Sequence, residues 1–171
     1  MAMTVLVGYA TAHGSTREIA HRIASRMRTE GVEVDVRALE AVADMNGYDA
    51  FVVGSAVHDQ KWLPEARSFV RQGIAAPGSR PVWLFSVGMP GALRGPWKRL
   101  MYKEVPVIEA DLAVPFTPRG HRLFSGVIRP EHLSRRGRLM FRLMGCRYGD
   151  HRDWSEIDGW AEQIAGALAH H

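Results

Sequence analysis

Thr4-Val-Leu-Val-Gly-Tyr-Ala-Thr-Ala-His-Gly-Ser-Thr-Arg-Glu18 decides the fold. Its first seven residues are a short apolar run rich in β-formers, which reads as a buried strand. Small and hydroxyl-bearing residues follow. Ile19, Ala20, Ile23, Ala24 and Met27 then recur at three- and four-residue spacing between arginines, the pattern of an amphipathic helix. Ser15 with Glu18 fits a capping box at its start, and Gly31 fits its stop. Strand, small-residue loop and helix together make a βα unit whose loop can hold an anion. Thr11, Ser15 and Thr16 offer hydroxyls, and Gly14 permits a tight turn. The N–H groups at the helix start add donors and a favourable dipole. An ordinary capped βα turn has the same composition, so both readings stand at this point.

The rest of the chain repeats the unit. Val32, Val34 and Val36 alternate with charged residues as a half-exposed second strand. Tyr48–Ala56 is a third strand, and a helix starting near Pro64 ends before Gly73. Pro81–Val87 is a fourth strand and Leu123–Ile128 a fifth. Helical patterns follow over 129–144 and from Trp154 to Leu168, the latter capped by Asp153 and Glu156. Alternating strands and helices predict a parallel sheet covered on both sides. With 171 residues, one domain is expected over 1–171. The stretch Gly88–Arg119 carries five prolines, at 90, 96, 106, 115 and 118, and reads as an insertion around 91–119 with a short helix near Trp97–Tyr102.

Composition narrows the classes. The single cysteine, Cys146, rules out an intramolecular disulfide and suits a reducing compartment. No apolar run is long enough to span a bilayer, and no signal-peptide pattern is visible, so a cytoplasmic location is expected. Net charge is +4, but residues 119–152 hold nine arginines against Glu131 and Asp150. That segment favours anionic partners. Its helix mixes Leu133, Leu139, Met140, Leu143 and Met144 with arginines. It is either a core stripe with snorkelling arginines or a face over 129–147 that rests on an anionic membrane or an electron partner. No motif for reading nucleic acid is present.

Alternative chemistries lack their marks. The first loop has no GxxxxGK[ST] and no GxGxxG, which leaves a site suited to one compact phosphate. The histidines are scattered and Cys146 has no cysteine partner nearby, so no metal site is expected. A Cys146–His151 nucleophilic pair exists on paper only.

At this loop a resemblance becomes specific. Tyr9–Glu18 resembles the flavodoxin signature, usually written T/S-x-T-G-x-T, and His13 departs from it where a threonine is common. The whole chain is similar to the bacterial menaquinone-dependent protoporphyrinogen oxidases of that family. The similarity includes Val53-Gly-Ser-Ala56, Phe85-Ser-Val87, the basic helix before Gly145 and Asp153-Trp154. The resemblance implies a flavodoxin-like three-layer α/β sandwich with a five-stranded parallel sheet in the order 2-1-3-4-5. It implies FMN as cofactor, with its phosphate in the loop Thr11, Ala12, His13, Gly14, Ser15 and Thr16. The flavin ring would lie between Ser55, Ala56, Val57, His58 and Trp62 on one side and Ser86, Val87, Gly88, Met89 and Gly91 on the other. Trp62 would stack on the ring or pack the next helix. His58 is the proton-handling candidate, and Lys61 faces a negative charge on the flavin or a substrate carboxylate. Met89 replaces the tyrosine of many electron carriers, leaving one ring face open or covered by Trp97 or Tyr102. The expected function is an FMN-dependent oxidoreductase that takes hydrogen equivalents from an organic substrate, a porphyrinogen by resemblance. It would pass electrons to a quinone or protein acceptor, its basic region resting on the inner face of the membrane. Arg94, Lys98, Arg99 and Lys103 are candidates for attracting substrate carboxylates. The alternatives are a flavodoxin-type electron carrier and a binding module with a decayed flavin site.

Overall fold

The computed structural model describes residues 2–74 and 80–170. Five strands form the parallel sheet: β1 (Thr4–Ala10), β2 (Glu33–Ala38), β3 (Ala50–His58), β5 (Val82–Gly88) and β6 (Gly120–Ser125). Their order is β2-β1-β3-β5-β6, the expected 2-1-3-4-5 when the short hairpin strand β4 (Lys61–Trp62) is set aside. The order reverses between β1 and β3, where Val5 pairs with Val34 on one side and Ala50 on the other. A doubly wound sheet opens its ligand crevice at the carboxyl ends of strands flanking such a reversal.

Two apolar layers seal the sheet. On one face α1 (Ser15–Thr29) and α6 (Trp154–Ala169) cover Val5, Val7, Val52, Phe85 and Phe124. The α1 stripe of Ile19, Ala20, Ile23, Ala24 and Met27 is fully buried, as its spacing requires. On the other face α2 (Pro64–Ser68), continued by a π-helical turn over 69–73, and α4 (Glu104–Leu112) cover Leu6, Phe51, Val53 and Leu84. The prolines of 91–119 do not prevent helix: α3 (Pro96–Tyr102) starts on Pro96, and Pro106 sits in the first turn of α4, where its missing N–H costs nothing.

Three local expectations are corrected. Gly14, not Ser15, is the residue before the first helical turn; with φ +97° it adopts a left-handed conformation, and Ser15 is already helical. The fifth sheet strand starts at Gly120 and ends at Ser125, because Gly126 turns the chain and donates its N–H to the Gly88 carbonyl at 2.9 Å. Val127–Ile128 is a separate strand, β7, paired antiparallel with β8 (Gly149–Asp150). The basic helix α5 is shorter than expected, Arg135–Leu143, with Ser134 as its cap through a 3.1 Å bond from Gly137 N–H. Gly31 stops α1 as expected: at φ +84° it donates to Arg28 O, while Val32 donates to Met27 O.

Candidate functional site

The loop from Thr11 to Gly14 closes on itself, with Gly14 N–H donating to Thr11 Oγ1 at 2.9 Å. That bond turns the chain sharply into α1, whose first N–H groups have no carbonyl one turn behind them. Thr16, in this first turn, is fully buried, and its hydroxyl has no hydrogen-bond partner. A buried orphaned hydroxyl is costly. An incoming acceptor would relieve that cost.

A cleft of about 170 Å³ opens beside the loop. Ala12, His13 and Ser15 line it from the first loop, Ala56, Val57, His58 and Leu63 from the β3–β4 hairpin, and Val87, Gly88 and Met89 from the end of β5. Residues from all three expected loops therefore converge. The fourth wall was not foreseen: Gly126, Val127, Ile128, His132 and Leu133, after β6. A second, more polar cavity of about 610 Å³ adjoins it, reaching Glu18, Arg129, Tyr148, Asp150 and Arg152. His13, Ser15, Val127, Ile128 and His132 line both cavities. Arg152 is held by Asp150 through two bonds of 2.9 and 2.6 Å and also by Glu18. Only the density of arginines in 119–152 hinted at this wall.

Backbone geometry presents His58. The hairpin turn Asp59-Gln60 has φ of +49° and +61°, left-handed at both positions as a two-residue turn requires. The turn leaves His58 exposed at the rim of the cleft, with Nε2 3.7 Å from Asp59. Lys61 points elsewhere: its Nζ lies 3.7 Å from Asp111 of α4, which also pairs with Arg67.

Several residues expected around the flavin line neither cavity. Trp62 is buried among Leu6, Val53 and Leu84, its indole N–H donating to Ser86 Oγ at 2.7 Å. It packs the hairpin and has no face open to the cleft. Ser86 is likewise fully buried. Ser55 is buried and accepts from Leu63 N–H at 3.0 Å, tying the hairpin's exit to β3. Gly91 donates to Ser125 Oγ at 2.8 Å behind the cleft, where an added Cβ would lie 2.7 Å from that oxygen. Trp97 and Tyr102 are exposed on α3 and line neither cavity. Arg94, Lys98, Arg99 and Lys103 are exposed and also stand away from both.

Cys146 packs against the small cluster of Ala92, Ile128 and Phe141, and burial pushes its thiol up, the reverse of an activated nucleophile. His151 Nε2 lies 2.7 Å from the Arg147 carbonyl, so the paper pair with Cys146 does not form. Among the described residues no group of three His, Cys, Asp or Glu side chains is placed to hold a metal ion.

Residues 6–154 match the family model of the flavodoxin domain. The chain belongs to the flavodoxin domain family. A solved archaeal flavodoxin superposes with a TM-score of 0.60 at 17% identity, over 98% of this chain and 100% of that one. Oxidised flavodoxin 2 of Bacillus cereus gives 0.56 at 17% identity, over 98% and 99%. Among curated proteins, protoporphyrinogen IX dehydrogenase [quinone] of Escherichia coli strain K12 is 23% identical over 174 residues, 95% of each chain.

Membership of the flavodoxin family implies an FMN site, and the residues present fit one. The buried Thr16 hydroxyl lacks an acceptor, Gly14 holds the left-handed turn, and Thr16 belongs to the first turn of α1, whose N–H groups have no carbonyl one turn behind them. Where the flavodoxin signature has a threonine, His13 lies with its ring parallel to that of His132.

Proposed function

We propose that this flavodoxin-family chain binds FMN and acts as an electron-transfer protein. The observation that carries the reading is the orphaned Thr16 hydroxyl beneath the Gly14 turn, at the sheet's topological switch point. Backbone N–H groups of the first loop, with Thr11, Ser15 and Thr16, hold the phosphate. Val57, Val87, Gly88 and Met89 supply the apolar walls of the ring cleft, and His58 stands at its rim. FMN supplies reversible acceptance of one or two electrons when bound. The chain's own residues orient it, exclude water from one side and leave the rim open to a partner.

The test is reconstitution. The chain titrated with FMN should quench flavin fluorescence stoichiometrically and give an oxidised-flavin visible spectrum after gel filtration. A chain that retains no flavin would be the binding module with a decayed site.

A second reading, an FMN-dependent protoporphyrinogen dehydrogenase using a quinone, is favoured by the end-to-end match to the Escherichia coli enzyme. Two structural features support it. Met89, where many electron carriers have a tyrosine, lines the cleft, and one flavin face would then be open to a substrate. Helix α5 also exposes Leu139, Met140 and Leu143, at 60%, 57% and 74%, among Arg135, Arg136, Arg138 and Arg142. Apolar side chains framed by arginines suit an anionic membrane surface, where a quinone would be met. No helix among the described residues is long and apolar enough to cross a membrane, so contact of this kind is peripheral. Consumption of protoporphyrinogen by the FMN-loaded protein with a menaquinone analogue separates this enzyme from the carrier.

A further inference from the structure

One polar chain, buried at three of its four members, lies outside the residues proposed to hold the flavin. Glu109 Oε1 lies 3.0 Å from His121 Nδ1, His121 Nε2 lies 2.7 Å from Ser86 Oγ, and Trp62 Nε1 lies 2.7 Å from the same oxygen. The four residues come from α4, β6, β5 and β4. We propose that Glu109, His121, Ser86 and Trp62 form a positioning chain that fixes both flavin-facing loops and ties their arrangement to the proton on His121. The inference rests on the FMN reading above.

The order carboxylate–imidazole–hydroxyl is that of a hydrolytic triad, but Ser86 is fully buried and its oxygen already accepts from the indole. The chain meets solvent at Glu109, not at the serine. Trp62 and Ser86 point to position instead. Trp62 immediately precedes Leu63, and Ser86 immediately precedes Val87 and Gly88; all three of those neighbours line the ring cleft.

Donor and acceptor chemistry allows one complete arrangement. An indole N–H only donates, so Ser86 Oγ accepts there and turns its single proton to His121 Nε2. Nε2 must then be unprotonated, and the imidazole proton sits on Nδ1 facing Glu109. Burial favours this neutral form of His121, and Glu109 opposes it. The groups facing the ring are Glu109 from α4, Ser86 from β5 and the Trp62 edge at 6.1 Å between ring centres. A second proton on His121 would make Nε2 a donor. Ser86 would then accept twice, and its own proton would have no partner in a site closed to water. The proton on His121 therefore works against the arrangement of Trp62 and Ser86 that shapes the cleft.

Linkage makes the effect reciprocal. In the 171-residue chain labelled at histidine, NMR titration of His121 should show FMN binding weakening its proton affinity at least about threefold, roughly half a pH unit. FMN acting merely as a nearby anion would strengthen proton affinity instead, and a purely structural chain would leave it unmoved; either result overturns the proposal. Ser86→Ala cuts the chain at its centre and should abolish the response while FMN still binds. Trp62→Phe keeps the ring's bulk without its N–H and should at least halve the response, which keeps the proposal testable if the first variant fails to fold. Persistence of the full response in either folded variant would also overturn it. FMN binding with a silent His121 overturns this inference alone; failure of the wild-type chain to bind FMN overturns the proposed function and the inference with it.

Discussion

The imidazoles of His13 and His132 lie parallel, 3.9 Å between centroids and 4° between planes, joining the first loop to the segment after β6. His132 Nδ1 also faces the Arg129 N–H at 3.4 Å. Burial, and then His13, hold His132 below its ordinary pKa. Its folded value is depressed, so the stabilisation from the stack is complete above about pH 6.5 and lost as pH falls through the lowered folded value. Amide-exchange protection of residues 127–133 should fall between pH 7 and pH 5 in the wild type. His132→Phe should hold protection constant over that range, and His132→Ala should lack it throughout.

Thr16→Val should separate stability from binding. Removing a buried hydroxyl that has no partner should raise flavin-free stability by about 1 kcal/mol. The same change should weaken FMN about tenfold or more, since a hydrogen bond to a charged group is lost. Denaturant unfolding without flavin and fluorescence titration with FMN read the two effects. Unchanged FMN affinity would remove Thr16 from the phosphate site.

Gly54→Ala should be severely destabilising. An added Cβ would lie 2.1 to 2.4 Å from the Phe85 ring, which is itself fixed against Phe124 and Trp160. Overpacking of this kind costs about 3 kcal/mol. Loss of soluble protein, or a large fall in the unfolding midpoint, is the expected outcome.

Tyr48 Oη donates to Asp35 Oδ2 at 2.6 Å, and this bond, with help from Arg37, holds the Asp35 carboxyl below its ordinary pKa. A depressed acid contributes stability above the unfolded value near 4 and loses it as pH falls through the folded value. Tyr48→Phe should therefore be less stable than wild type at pH 7, with the gap closing as pH falls below the unfolded value near 4. Parallel urea titrations at pH 7 and below that value measure it.

The face of α5 should bind vesicles containing about one third phosphatidylglycerol and release them at high salt, while ignoring purely zwitterionic vesicles. Leu139→Asp with Leu143→Asp should reduce co-sedimentation at least about tenfold without moving the unfolding midpoint, because both residues are exposed. Equal binding by the double variant would count against a membrane contact.

The sequence by itself determined the βαβ alternation, the strand order implied by resemblance and the first loop. Each rests on local patterns: the 3.6-residue stripe of α1, the apolar run of β1 and the small residues at 11–16. Ala56, Val57, Val87, Gly88 and Met89 were also legible as cleft residues, because strand ends fix where loops begin. Only the tertiary structure decided what the polar side chains do. Trp62 and Ser86 lie 24 positions apart, on different strands, yet they meet in the core, because the hairpin turn at Asp59-Gln60 brings Trp62 back alongside β3, opposite Val57. His132 reaches His13 across 119 positions, a pairing no periodicity can encode. Spacing along a chain predicts which face a residue shares with its neighbours in one element. Hydrogen-bond partners between elements depend on packing angles that no single segment contains.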